Sequence, residues 1–394
     1  MKKFFLLIIF FIEVFSNSQA QFSRYIIKLK NKGGTPYTFL NPIAYLSQRA
    51  IVRRNRYGIA IDSTDLPVTP SYVTQIGNVP NVTVLNVSKW LNAVTIQTTD
   101  PPNALTTING FSFVQSLSAI GTRLNNHTTP YPHSKFQTNF SSIANTTARA
   151  EKLLSDYYNY GTNSFNEVHL HNAEFLHNIG LRGQGMQIAI LDAGFFHYTT
   201  LSAFDSVNAN AQILGTWDFV AREASVVEDN SHGMSVLSII AANIPGQFIG
   251  KAPKANFWLF RTEDAIPEDP IEEHNWACGA ERADSSGADI ISTSVGYTTF
   301  DSAVFNHTYN DMNGSITMAA IAADLAAKKG ILVFASIGND GNSTWKYLST
   351  PSDADSVVAV GAVNSNGVIG SFSSYGPSSD GQVKPDVASV GVST

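Results

Sequence analysis

From about residue 151 onward, short apolar runs alternate with helix-forming stretches, and this alternation constrains the fold more than any other feature of the chain. Met186 to Leu191 (MQIAIL) reads as a short buried strand and His232 to Asn243 as a helical run. Asn256 to Arg261 is a strand, Pro270 to Ser286 a helix, and Asp289 to Thr293 a strand. Ser315 to Lys329 is an Ala-rich helix, followed by the strands Gly330 to Ser336 and Ser356 to Ala362. Strands this uniformly apolar bury both faces, as in a parallel sheet with helices on each side. The expected fold class is α/β, a parallel sheet flanked by helices, spanning residues 151–394 and preceded by a small α+β domain.

That preceding domain is expected over residues 21–120. Arg24 to Lys30 (RYIIKLK) reads as an edge strand, and Asn41 to Arg56 is rich in helix formers. Val82 to Val87, Lys89 to Thr98 and Phe111 to Leu117 are further strand candidates. Residues 121–150 are dominated by Asn, Thr, Ser, His and Pro and cannot bury much apolar area, so they read as an exposed linker. Residues 1–20 follow the grammar of a signal peptide: Lys2-Lys3, an apolar run from Phe4 to Ile12, then Ser18-Gln19-Ala20. The expected location is therefore secreted or extracytoplasmic. No later stretch approaches the roughly eighteen apolar residues that a membrane span needs.

Charge excludes one large class of partner. The chain carries 25 basic and 31 acidic residues, a net charge of −6, which is not the footprint of a nucleic-acid binder. Its only like-charge block, Arg53-Arg54-Asn55-Arg56, reads as a solvated turn. Cys278 is the single cysteine, so no intramolecular disulfide forms.

In parallel α/β sheets, functional residues gather at the carboxyl ends of strands. Asp192 directly follows MQIAIL, where a carboxylate can orient another group in a cleft. His232 opens a helix behind Asn230 and Ser231, either of which suits a helix cap. The helix dipole at that position favours the neutral imidazole that a general base requires. Asn339 follows the strand Gly330 to Ser336, and its amide can donate to a developing oxyanion. Ser294-Val295-Gly296 follows Asp289 to Thr293, and a Gly there lets a peptide ligand approach the backbone. Gly183 and Gly185 precede a strand, whereas a dinucleotide fingerprint must follow one. His169, His171 and His177 cluster loosely, but no carboxylate or cysteine has matching metal-ligand spacing. Glu272 and Glu273 read as a solvated helix face.

The order Asp, His, Asn along the chain resembles that of the subtilisin-like serine proteases. Ile188 to Phe195 (IAILDAGF) resembles the family's Asp motif, and Ser231 to Val236 (SHGMSV) its His motif, 232 − 192 = 40 residues later. Ser294-Val295-Gly296 resembles its substrate edge, and Ala335 to Asn339 (ASIGN) its oxyanion segment. Phe372 to Gly376 and Lys384 to Val387 resemble the run-up to its nucleophile. Ile61 to Val68 and Ser88 to Val94 resemble the N-terminal segment of secreted bacterial members. Met234 and Ser235 depart from the His motif, where the family has Thr and His.

The resemblance implies a secreted endopeptidase acting on proteins or peptides through a Ser/His/Asp acyl-enzyme mechanism. Asp192 would orient His232, Asn339 would stabilise the oxyanion, and Ser294 to Gly296 would pair with substrate backbone. It implies a propeptide that serves as an intramolecular inhibitor. No cofactor is implied for catalysis; structural calcium is, without an assignable site. The family's Gly-Thr-Ser motif is expected beyond Thr394, so the nucleophile is not expected within the chain, and Ser393 lacks the following helix that would expose it. The rival reading is a catalytically inactive, truncated or peptide-binding protein of the same fold.

Overall fold

The computed structural model describes residues 22–122, 153–227 and 230–392. The expected signal segment and all but the first two residues of the expected linker lie outside the described residues.

The first sheet is antiparallel and four-stranded: β1 (Phe22–Leu29), β2 (Val82–Ser88), β3 (Ala93–Thr98) and β4 (Val114–Thr122), in the order β2-β3-β1-β4. Tyr25 pairs with Ile96 and Ile27 with Val94 across β1 and β3. These side chains form one core with Ile76 of helix α2 (Pro70–Gly77) and Ala104 and Ile108 of helix α3 (Pro101–Asn109). Alternation turns Ile26 to the opposite face, where it packs with Ile120 against Ile271. Both faces of β1 are therefore covered, and its pairing with β3 on one side and β4 on the other makes it an interior strand, which corrects the edge position expected for it. Helix α1 (Gln48–Tyr57) starts where Ser47 Oγ accepts from Ala50 N at 3.2 Å, and it ends on Gly58 at φ +66°.

The second sheet is parallel throughout and seven-stranded. Its strands are β5 (Gln187–Asp192), β6 (Ile213–Asp218), β9 (Asn256–Arg261), β10 (Ile290–Thr293), β11 (Leu332–Ser336), β12 (Val358–Val363) and β13 (Val387–Val390). A short hairpin, β7 (Asn243–Ile244) and β8 (Phe248–Ile249), stands apart from it. The order β13-β12-β11-β10-β5-β9-β6 puts β5, β10 and β11 side by side. Helices α4 (Gly161–His169) and α5 (Ala173–Asn178) precede the sheet, and α6 (Asp205–Ala209) lies between β5 and β6. Helices α7 (His232–Ala241), α8 (Ile271–Ser286) and α9 (Met318–Lys328) complete the layers. One core joins Leu191 and Phe260 to Trp276, Ala280 and the Ala-rich face of α9. The other joins Ile190 and Leu259 to Met234 and Leu237 of α7. No helix among the described residues is long and apolar enough to cross a membrane.

The first sheet and α1 sit on α8. Arg53 and Arg54, expected in a solvated turn, are buried instead, and both pair with Asp284 of α8. Arg54 also pairs with Asp65, which Lys329 reaches from the second unit at 3.0 Å. Glu281 accepts from Ser88 Oγ, Lys89 N (2.8 Å) and Trp90 N (3.0 Å). Glu272 and Glu273 are likewise buried, which corrects the solvated face expected for them. Glu273 Oε1 meets His307 Nε2 at 2.6 Å, and Glu272 accepts from Asp264 N at 2.8 Å. The partners explain the burial: each charge is matched by a group that the local sequence does not reveal.

Candidate active site

The end of β5 delivers Asp192, fully buried, to the carboxyl edge of the parallel sheet. Its Oδ1 accepts from Ala193 N at 2.7 Å and from His232 Nδ1 at 2.7 Å. A carboxylate can only accept here, so Nδ1 carries the proton and Nε2 is the lone-pair nitrogen of the neutral ring. Backbone geometry fixes this pair. Gly194 adopts φ +145°, and a Cβ on it would lie 2.7 Å from Asn230 O. A Cβ on Gly233 would lie 2.8 Å from Asp192 Cβ and 2.7 Å from Gly194 O. Only glycines at these two positions let the start of α7 close down on the end of β5.

Asn230 holds the helix start: its Oδ1 accepts from His232 N at 2.7 Å, and its carbonyl accepts from Phe196 N at 3.0 Å. Ser231 occupies the cap position without a side-chain cap bond, so Asn230 performs the capping role.

Burial opposes charge on His232, but the charge and hydrogen bond of Asp192, joined by the charge of Glu263, raise its pKa above the ordinary value. This reverses the sequence-based expectation that the helix dipole would depress it. The neighbouring carboxylate outweighs the partial charge of a helix end. Glu263 itself had not been singled out. It stands two residues past the end of β9, accepts from Tyr297 Oη and from Thr262 Oγ1 at 2.8 Å, and is buried. The strand-end rule that pointed to Asp192 would have found it.

Asn339 is exposed on the loop after β11, behind Gly338 at φ +111°. Ser294, Val295 and Gly296 follow β10, the strand between those that carry Asp192 and Asn339. Three of the positions singled out in sequence thus leave the same end of three adjacent strands, and His232 meets Asp192 from α7. The departing motif residues have ordinary roles. Met234 is core, packed with Leu237 and Phe195, and Ser235 Oγ donates to Ser231 O.

The three clustered histidines diverge. His169 Nε2 lies 3.2 Å from Asp156 Oδ2, His177 Nδ1 lies 2.8 Å from Tyr160 Oη, and His171 Nε2 lies 3.0 Å from Ser389 Oγ. Among the described residues, no three His, Cys, Asp or Glu side chains gather so as to hold a metal ion. Cys278 is buried, and burial pushes its thiol well up.

The Peptidase S8 propeptide domain of Bacteroidota matches residues 24–137, and the subtilase family model matches residues 183–394. The thermostable alkaline protease of Halalkalibacterium halodurans is 31% identical over 207 residues, 52% of this chain and 49% of that protein. Subtilisin NAT of Bacillus subtilis subsp. natto is 31% identical over 212 residues, 53% of this chain and 49% of that protein. The minor extracellular protease Epr of Bacillus subtilis is 29% identical over 231 residues, 57% of this chain and 31% of that protein. The match thus spans about half, or less, of the length of these relatives. The solved structure of the prenylagaramide maturation protease PagA aligns with a TM-score of 0.40 at 22% identity, covering 52% of this chain and 64% of that one. With a family model covering more than half of its residues, the chain belongs to the subtilase family.

Proposed function

We propose that the chain is the propeptide and most of the catalytic domain of an exported serine endopeptidase that cuts peptide bonds in proteins. The observation that carries this reading is the 2.7 Å contact between buried Asp192 Oδ1 and His232 Nδ1 at the carboxyl ends of a parallel sheet. Asp192 keeps the proton on Nδ1 and turns Nε2 into the base. Nε2 takes the proton of a serine hydroxyl as that oxygen attacks the scissile carbonyl, then returns it to the leaving amine. The Asn339 amide donates to the oxyanion that forms, and the Ser294 to Gly296 edge pairs with substrate backbone. This reading takes the reacting serine to follow the Lys384 to Val387 segment, as the resemblance implies.

The first sheet acts in this reading as the intramolecular inhibitor. The support is its dock on α8 through Glu281 and Asp284, and the course of β4, whose Ile120 packs on Ile271. Export rests on the signal-like residues 1–20 and on the extracellular relative Epr.

A fluorophosphonate probe tests the reading. The chain ending at Thr394 is expected to stay unlabelled, and the protein extended by its downstream coding sequence to label at one serine. Labelling within 1–394 would displace the proposed nucleophile. No labelling of either form would leave a peptide-binding protein.

A further inference from the structure

The last residues of three neighbouring strands stand in one row. Asp192 of β5 pairs in register with Arg261 of β9, and Arg261 pairs in turn with Asp218 of β6. Partners in register on parallel strands send their side chains to the same face, with the strands about 5 Å apart. One guanidinium therefore lies between two carboxylates, and all three residues are buried. A buried charge needs a partner, and an arginine between two aspartates has a choice of two.

Arg261 takes Asp218. Its Nη1 donates to Asp218 Oδ2 at 2.7 Å, and its Nε donates to Ala193 O at 3.2 Å. Asp264 Oδ1 stands farther off, 4.0 Å from Nη2. Asp192 Oδ1 is engaged by His232 and Ala193 N, and Asp192 Oδ2 accepts no hydrogen bond among the described residues. Asp218 is held rigid for this contact, because its Oδ1 accepts from Val220 N at 2.7 Å and Ala221 N at 2.8 Å. Phe219 N donates to Arg261 O at 2.8 Å and clamps the two strand ends together. The arrangement matters for the neighbouring pair. A guanidinium on Asp192 would compete with His232 Nδ1 for the carboxylate and set a positive charge against the imidazolium. Held on Asp218, the same side chain instead grips Ala193, whose N–H supports Asp192 Oδ1.

We propose that Asp218 is a positioning residue for the Asp192–His232 pair: it holds the guanidinium of Arg261 away from Asp192, so that the Asp192 carboxylate stays available to His232. Asp218 touches neither His232 nor substrate in this reading and acts only through Arg261. The inference rests on the peptidase reading above.

The test is a pH–rate profile of the protein extended by its downstream coding sequence, in native form, as Asp218→Asn, and as Asp218→Asn with Arg261→Met. Glu263, the other charge that acts on His232, is left in place throughout. In Asp218→Asn the guanidinium turns to Asp192. The high-pH plateau of kcat is expected to fall by about a hundredfold, and the midpoint of kcat/KM to fall by about one unit. Removing the guanidinium as well is expected to recover at least about tenfold of the lost plateau, although a second buried residue has been changed. A charge acting only from a distance moves the midpoint and leaves the plateau. A merely structural role for Asp218 leaves the double variant no better than the single one. Either of those outcomes overturns the proposal, as does a native profile in Asp218→Asn. A crystal structure of the native extended protein with Arg261 bonded to Asp192 in place of Asp218 overturns it whether or not a variant folds. If no peptide is cut and no serine is labelled, the peptidase reading fails and takes this inference with it. Native cleavage and labelling without the rescue remove this inference alone.

Discussion

Two buried carboxylates in this molecule are held by positive or protonated partners and serve opposite ends. Asp192 meets His232 within one structural unit, where a strand end and a helix start are pressed together by Gly194 and Gly233. Asp284 meets Arg53 and Arg54 across two units, with about 230 residues of chain between the partners. The first pair is a single contact to a group that changes protonation in the proposed reaction. The second is a network of ion pairs, extended by Asp65 and Lys329. A titrating partner suits a site that works by moving a proton. A network of ion pairs reaching across both units suits a seam that holds them together.

The comparison breaks most sharply at Asp192. In the protein extended by its downstream coding sequence, Asp192→Asn is expected to lower kcat on peptides by about ten-thousandfold, because the amide favours the wrong tautomer of His232. Unfolding by urea should move far less than activity does. A variant with near-native turnover would end the catalytic reading of this pair. At the seam, Asp284→Ala strips both guanidinium groups of a buried counter-charge and is expected to destabilise the whole chain by about 3–5 kcal/mol in urea unfolding. Replacing Asp284, Arg53 and Arg54 together by Leu, Met and Met should cost much less, since no charge is then left buried alone. If the single variant proves as stable as the native chain, the network is not what holds the two units together.

The same contrast explains what the sequence reveals. The site was legible because each of its members sits beside an apolar strand or helix that local periodicity marks, as with Asp192 after MQIAIL and Asn339 after GILVFAS. The parallel sheet was legible for the same reason, with β9 falling at the residues expected for it. The edge strand β6 was not: Gly215 breaks its pattern, and only the structure shows that a Cβ there would lie 2.7 Å from the ring of Trp258. The seam was also illegible. Arg53, Arg54, Glu272 and Glu273 look like surface residues because their partners lie in other elements, and pairing across the chain leaves no periodic mark.

At the oxyanion position the expected effect is smaller than at Asp192. Asn339→Ala should lower kcat by about a hundred- to a thousandfold, the range known for one such donor in a subtilisin, with KM nearly unchanged. A large rise in KM at constant kcat would instead make Asn339 a ground-state contact.

The smallest effect sharpens the comparison from the side of the titrating pair. His232 must be neutral to act as base, and its pKa is raised despite burial by the charge and hydrogen bond of Asp192 and the charge of Glu263. Protonated His232 therefore persists to higher pH than an ordinary imidazole, and kcat/KM should climb through a midpoint above 6.5 as pH rises. Glu263→Gln removes one of the charges that raise it and keeps an acceptor for Tyr297, so the midpoint should move down while the plateau at high pH stays close to native. The direction is set by sign alone: taking away a nearby negative charge disfavours the imidazolium. A pH–rate profile of the extended protein and this variant reads the shift directly. An unmoved midpoint would mean that Asp192 alone sets the base, and that Glu263 serves Tyr297 and Thr262 instead of the site.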